Sequence, residues 1–441
     1  MKPTLILLIA MSAWGQSPVR QAMDYMAAAT KDGAFMGTVL VARNGKTLFS
    51  NGYGLANAEH GVANGVDTKF RLGSITKQFT AVAVLQLEEQ GKLSVTDAMC
   101  KYVDKCPETW KPITIHHLLT HTSGLFNFTN DPEYRRTAML ASPPAHSLEK
   151  IRDKPLRFDP GTRFEYSNSG YVALAIVVEK ASGENYEAYM RKHVFQPAGM
   201  NDSGHDDHTP ILKNRATGYE GQGATLRHAP YHDMTIPIGA GDLYSTAQDL
   251  LLWDQALNND TLLKAPARAK LFQAEKSNYA YGWLVPRIFN RQAHMHGGGI
   301  YGFSTNILRF PEEGLVSIAL SNNSSAAAAR IGRDLAAIFL GEKFEMPKVR
   351  TAITLPADTL DRYTGKFAMA PSVLMTITRE GSQMYTQLTG QGKIEIFPES
   401  PTVFFPRVVD ATISFAFGAD GKAASITLHQ GGRDMPAKRV P

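Results

Sequence analysis

Hydrophobic and polar positions alternate differently in three stretches of the chain. At the start, Lys2 precedes an apolar run from Leu5 to Met11, and the small residues Ala13 and Gly15 follow. The run is far shorter than the ~20 apolar residues that span a bilayer. A positive end, a short apolar segment and small residues make a secretory leader, expected to be cut after Gly15. A helix is expected over 19–29. Alternation over 38–42 and 47–50 then predicts a hairpin, because the intervening Asn44-Gly45 suits the two positive φ values of a type I′ turn.

The middle of the chain reads as helices. From Ile75 to Leu87 nearly every side is apolar, with Gly91 as a stop, so this helix is expected to be buried all round. Further helices are expected over 171–181, stopped by Gly183, and over 247–257, opened by a capping box of Ser245 and Gln248. Short strands follow at 281–285, 303–309 and 316–321, before a helix over 326–340. This order predicts an α+β domain, an antiparallel sheet flanked by helices with its first and last segments adjacent in space. Beyond Arg350 the period becomes two. Val373/Met375/Ile377, Met384/Thr386/Leu388, Ile394/Ile396, Ile413/Phe415/Phe417 and Ile426/Leu428 predict a small β-barrel or sandwich after a polar linker over 342–356.

Composition narrows the class without naming a partner. With 43% hydrophobic and 20% charged residues, the 441-residue chain is globular rather than disordered or fibrous. The formal net charge is +5, of which Lys2 supplies one unit, and Lys/Arg blocks are missing, so nucleic-acid binding has no support. No later stretch could serve as a stable membrane anchor. The two cysteines, Cys100 and Cys106, stand close together; in an exported chain they suit a small disulfide ring, the alternative being two free thiols.

Several chemical signals fail on context. Gly45-Lys46-Thr47 has Leu40 where a phosphate loop needs its first glycine, and G-x-S-x-G is missing. His294-Met295-His296 and His205-Asp206-Asp207-His208 match no zinc pattern, so no metal is expected. His116, His117 and His121 are expected to satisfy backbone groups around a helix end.

Ser-x-x-Lys occurs twice, at Ser74-Ile75-Thr76-Lys77 and Ser147-Leu148-Glu149-Lys150. The second opens a short polar segment with Arg152, Asp153 and Pro155, where serine and lysine are simply solvated. Ser74 instead follows Gly73 and opens the buried helix. Positions i and i+3 share a helix face, so Lys77 is held near the Ser74 hydroxyl, and the helix N-terminus favours negative charge there. Burial lowers a lysine's pKa towards that of a base. Tyr166-Ser167-Asn168 lies between a polar loop and a buried helix. His296-Gly297-Gly298-Gly299 leads into Tyr301-Gly302-Phe303, and three glycines let a substrate lie against backbone N–H donors. Tyr301 and Phe303 either line the cleft or pack.

Ser74-x-x-Lys77, Tyr166-x-Asn168 and His296-x-Gly298, in that order, resemble the serine beta-lactamase and penicillin-binding-protein family. The branch is the one that holds class C beta-lactamases, D-Ala-D-Ala carboxypeptidases, D-aminopeptidases and esterases. The stretches from Ile115 to Leu125 and from Gly241 to Thr246 support the resemblance, and the C-terminal part resembles a lipocalin-like barrel. The resemblance implies a leader over 1–15, a hydrolase domain over 16–341 that includes an all-helical subdomain, a linker over 342–356 and a barrel over 357–441. It also implies that Ser74 is the acylated nucleophile and Lys77 its proton partner. Tyr166 becomes the general base, with Lys77 as the alternative. Asn168 then binds the substrate's amide and orients Lys77, and the N–H groups of Ser74 and Gly299 form the oxyanion hole.

His296, two residues before Gly298, stands where class C enzymes carry the lysine of a K-T-G motif. A phenolate at pH 7 needs its pKa of ~10 lowered by about three, which a lysine supplies permanently and a histidine only when protonated. The expected activity is that of a periplasmic or secreted serine hydrolase needing no metal or cofactor. Its small-molecule or peptide substrates are D-amino-acid peptides, amides or esters, with poor penicillin hydrolysis and looser demand for a substrate carboxylate. The alternatives are a class C-like beta-lactamase and a non-catalytic sensor of penicillin or peptidoglycan.

Overall fold

The computed structural model describes residues 16–347, 350, 352–370, 373–389, 392–406, 409, 411–430 and 433–441; the expected leader lies outside the described residues. Helix α1 (Pro18–Ala29) starts at Ser17, whose Oγ accepts the Arg20 N–H. Strands β1 (Gly37–Arg43) and β2 (Lys46–Tyr53) form the hairpin, and Asn44 and Gly45 take φ values of 50° and 76°. Helices α2 (Thr76–Glu89), α3 (Asn168–Ser182) and α4 (Ala247–Ala256) follow. The domain closes with β3 (His294–Ile300), β4 (Phe303–Phe310), β5 (Leu315–Ser321) and α5 (Ala328–Leu340).

The five strands make one antiparallel sheet in the order β3-β4-β5-β1-β2. β1 pairs with β5 from Gly37–Ser321 to Arg43–Leu315, which joins the first and last segments of the domain. Alternation along β1 divides the core. Val39 and Val41 face α1 and α5, and Leu40 and Ala42 face the cluster built on α2, α3 and α4. In that larger cluster Phe79 stacks on Trp253 at 4.0 Å, and the indole N–H donates to Gln78 Oε1 at 3.0 Å. Residues so enclosed contribute roughly 1.5–3 kcal/mol each, which is what fixes α2 against the sheet.

Two local expectations fail. Residues 281–285 form no strand; Leu284 makes isolated bridges to Tyr279 and Met295, and the Tyr281 and Val285 N–H groups donate to Leu271 O and Asn278 O. Gly282 turns the chain at φ 75°, and a Cβ there would lie 2.7 Å from the Lys77 carbonyl oxygen. The cap of α4 is Thr246, whose Oγ1 accepts the Asp249 N–H at 3.0 Å, whereas Ser245 ends the short strand Leu243–Ser245.

The C-terminal part is a closed antiparallel barrel rather than a sandwich. Its strands are β6 (Gly365–Ala370), β7 (Val373–Glu380), β8 (Gln383–Leu388), β9 (Ile394–Pro398), β10 (Val403–Pro406), β11 (Ala411–Phe417), β12 (Ala423–Gln430) and β13 (Arg433–Val440). β6 pairs with β13, which removes the free edges that a sandwich would leave, and Phe367, Ile377, Phe404 and Phe415 fill the interior. Cys100 and Cys106 are joined by a disulfide. Among the described residues no helix is long and apolar enough to cross a membrane.

Candidate active site

Ser74 sits on a 3₁₀ turn, Gly73–Ile75, that runs directly into α2. Edge strand β3 lies against this turn. Gly73 has φ 56°, and a Cβ on it would meet Gly299 N at 2.9 Å; a Cβ on Gly298 would fall 1.9 Å from Leu72 O. The glycines therefore permit a close approach of strand to turn that any side chain would block. Thr305 of β4 donates to Leu72 O at 2.7 Å and fastens the same turn from behind. Gly299 has open space where a side chain would project, leaving the backbone beside Ser74 free for a ligand.

Lys77 is fully buried one helical turn on, and its Nζ reaches Ser74 Oγ at 3.0 Å, Asn168 Oδ1 at 2.9 Å and Ala240 O at 2.7 Å. Burial pushes its pKa well down, with the Asp242 carboxylate opposing. A neutral amine has two N–H donors and one lone pair. Asn168 Oδ1 and Ala240 O are acceptors, so in the neutral form they take both donors and leave the lone pair for the Ser74 hydroxyl.

The start of α3 is tied to the same place. Asn168 N–H donates to Asn127 Oδ1 at 3.1 Å and its Nδ2 to Thr129 Oγ1 at 3.3 Å, while Ser169 Oγ donates to Phe126 O at 2.7 Å. The Tyr166 ring lies 4.9 Å from Lys77 Nζ. Its enclosed hydroxyl has no hydrogen-bond partner of ordinary geometry. Burial raises the phenol's pKa well above its usual value, and Ser74 is the neighbour that pulls the other way. His121 packs on Tyr166 with ring centroids 4.2 Å apart, and its Nδ1 accepts the Ser167 N–H at 3.2 Å.

His296 is 5% exposed, its ring centroid 6.3 Å from that of Tyr166. Burial, then the Lys77 charge, lower its pKa to about 4, although a hydrogen bond to Gly297 O works against them. Ser74, Asn168 and Gly299 thus line a cleft of about 220 Å³; Lys77 touches Ser74 and Asn168, the Tyr166 ring lies beside Lys77, His296 lies beside Tyr166, and Gly298 packs on the turn that carries Ser74. Tyr301 lines that cleft with Phe128, Tyr134 and Thr129; Phe303 is packed in the core.

The other histidines have separate duties. His117 completes a capping box with Thr114 at helix Ile115–Leu119, and His121 serves a backbone N–H from a distant loop. His116 departs from the expectation and bonds Tyr281 Oη at 2.8 Å instead. His294 stacks on Phe272 at 4.1 Å. His205 pairs through Nδ1 with Asp242 at 2.9 Å. Sequence reasoning missed Ala240, Asp242, Thr129 and Tyr279. A backbone carbonyl leaves no trace in side-chain spelling, and Tyr279 is recognisable only through its spatial contacts with His296, His121 and Tyr166.

Comparison with known proteins decides the relationship. A family model described as Beta-lactamase matches residues 19–340. The chain belongs to the beta-lactamase family. That places it among serine hydrolases, and a second model, a domain of unknown function (DUF3471), matches residues 349–439. Penicillin-binding protein 4* of Bacillus subtilis (strain 168) is 29% identical over 92% of this chain and 95% of its own length. The teichoic acid D-alanine hydrolase of Staphylococcus aureus (strain MRSA252) is 27% identical over 61% of this chain and 66% of its own. The octameric penicillin-binding protein homologue from Pyrococcus abyssi superposes with a TM-score of 0.68 at 23% identity, covering 95% of this chain and all of that one.

Proposed function

We propose that this beta-lactamase-family chain is an exported hydrolase that forms an acyl-enzyme on Ser74 and cleaves amide or ester bonds of D-amino-acid compounds. The observation that carries the reading is the buried Lys77 amine, whose Nζ lies 3.0 Å from Ser74 Oγ and is fixed there by Asn168 Oδ1 and Ala240 O. Ser74 Oγ attacks the carbonyl carbon and its proton passes to Lys77 Nζ. The N–H groups of Ser74 and Gly299 receive the negative charge on the carbonyl oxygen. The proton then moves through the Tyr166 hydroxyl to the departing nitrogen or oxygen as its bond to carbon breaks. Water adds to the ester by the reverse route and releases Ser74. Lys77, with its lowered pKa, supports the role of base better than Tyr166, whose pKa burial raises.

A neutral His296 fits weak use of substrate carboxylates, and the likeness to a relative named teichoic acid D-alanine hydrolase supports a D-configured acyl donor. Kinetics on paired D- and L-alanyl and phenylalanyl esters and amides test the proposal. Hydrolysis of the D-compounds at least about tenfold faster, and its loss in Ser74→Ala, is expected. Equal rates for both hands, or activity that survives Ser74→Ala, would refute it.

A further inference from the structure

Two runs of alanine meet where the first and last helices of the beta-lactamase-family domain approach the barrel. Ala27 to Ala29 end α1 and Ala326 to Ala329 lead into α5, and side chains this short leave space that longer ones would fill. The result is a cavity of about 140 Å³, walled by Ala28, Ala34 and Ile331 on one side and by Phe405 and Pro406 of the barrel on the other. Alternation on β10 sends Phe404 into the packed interior of the barrel and Phe405 outward. Phe405 is nevertheless only 3% exposed, because the seam between the two parts of the chain encloses it.

Among the described residues, every charged side chain on the cavity wall is basic: Lys31, Arg330 and Arg350. Two of them have partners set back from the wall. Arg330 Nε lies 3.3 Å from Asp334 and Arg350 Nη1 2.6 Å from Glu399, and neither carboxylate lines the cavity. Lys31 is exposed and makes no ion pair among the described residues. The 13-residue helix α5 also begins on this wall, with no side-chain cap and no acidic residue in its first turn, so its partial positive charge adds to that of Lys31. An anionic head gives Lys31 the counter-ion it lacks, whereas an ammonium is repelled. One unpaired cation matches one negative charge. A cavity of about 150 Å³ takes up benzene, so the space here suits an apolar part of about six carbon atoms.

We propose that this seam is a binding site for a small amphipathic carboxylate without an ammonium group, whose apolar part lies against Phe405 and Ile331 and whose head meets Lys31. The site is separate from the catalytic cleft, since no residue lines both, and it does not depend on acylation at Ser74. Its walls come from both parts of the chain, so an occupant ties the barrel to the domain that carries Ser74.

Isothermal titration of the full chain at pH 7 with hexanoate, benzoate, hexanol and hexylamine tests the site. Both carboxylates are expected to bind once per chain, at least about tenfold more tightly than hexanol, and hexylamine more weakly still. Lys31→Glu changes an exposed side chain and is expected to weaken the carboxylates at least about tenfold. Ala28→Trp fills the cavity and is expected to abolish their binding. Circular dichroism and thermal melts show whether the variants are folded, and the wild-type ranking of the four ligands needs no variant. No binding of either carboxylate, equal affinity for hexanol and hexanoate, or affinity unchanged in both folded variants overturns the site. Carboxylate binding that is lost when Ser74 carries a fluorophosphonate places the ligand in the catalytic cleft and overturns it as well. A chain that binds the carboxylates as expected but takes no label at Ser74 upholds the seam site and counts only against the proposed function.

Discussion

Tyr279 and His296 share a hydrogen bond of 3.0 Å between Oη and Nε2, while Nδ1 of His296 lies 2.6 Å from the Gly297 carbonyl oxygen. A carbonyl only accepts, so Nδ1 carries the proton and Nε2 of the neutral ring accepts from Tyr279. Both nitrogens are occupied inside the protein. The neutral ring thus brings no charge to the position where the motif resemblance implies a lysine in class C enzymes.

Replacing that ring with an ammonium is therefore informative. His296→Lys is expected to speed acylation by benzylpenicillin, which carries a carboxylate, at least about tenfold, with little change for uncharged esters. Single-turnover acylation rates measure both. An equal gain for both substrate types, or none for either, would show that charge at this position is irrelevant.

Lys77 and Tyr166 separate by kinetic step. Lys77→Ala is expected to lower the acylation rate by about 10²–10⁴-fold, the usual range for loss of a positioned base. Tyr166→Phe is expected to spare acylation within about tenfold and to slow breakdown of the ester, so that acyl-enzyme accumulates. Burst kinetics with a chromogenic ester read the two rates. A Tyr166→Phe variant that loses its burst as completely as Lys77→Ala would make the phenol the first base.

Asp242 acts on Lys77 from a distance. Its Oδ1 accepts the Gly239 N–H at 2.7 Å, its Oδ2 pairs with His205, and the turn it fixes presents Ala240 O to Lys77. Its charge also holds up the Lys77 pKa against burial. Asp242→Asn is expected to lower kcat about tenfold with KM within about twofold, and to move the acid limb of the pH–rate profile to lower pH. A merely structural residue would leave that limb in place.

Stability is expected to fall on both sides of neutrality. Burial holds His296 and His232 at about 4 and His294 at about 3, below the ordinary 6.5. The unfolded chain takes up these protons first, so stability is full above pH 6.5 and is lost as pH falls towards 4. His205 runs the other way. Burial opposes its charge, but Asp242, with Glu187 and Asp206, holds it at about 9, so its contribution is present below pH 6.5 and lost as pH rises through 9. Displacements of this size correspond to roughly 3 kcal/mol each. Thermal melts from pH 4 to 9 should show a dome that His296→Gln flattens on the acid side and His205→Gln on the alkaline side. A profile unchanged in both variants would refute these assignments.

The chemistry legible in the sequence was the part written in side chains at fixed spacing. Ser74 and Lys77 share a helix face whatever else the chain does, and the alternation of β1 or β7 shows in any window. What stayed hidden was done by backbone and by distance. β3 reads as a glycine loop because Gly297 to Gly299 have poor strand propensity, and it is a strand because pairing with β4 and the close pass over Leu72 outweigh propensity. β10 and β13 escaped notice because β10 is only four residues long and ends on Pro406, while Pro436 interrupts β13 and charged residues face outward on it. Ser147 was misread as solvated because the segment around it is polar, although its own side chain turns inward.

Ser74 Oγ as the acylated atom, with Lys77 as the acceptor of its proton, is tested most directly by covalent labelling with a fluorophosphonate, followed by intact mass and peptide mapping. One adduct is expected, on the peptide that carries Ser74, absent from Ser74→Ala and formed at least about 100-fold more slowly in Lys77→Ala. An adduct on another residue, such as Ser147, or labelling at an undiminished rate in Lys77→Ala, would contradict it.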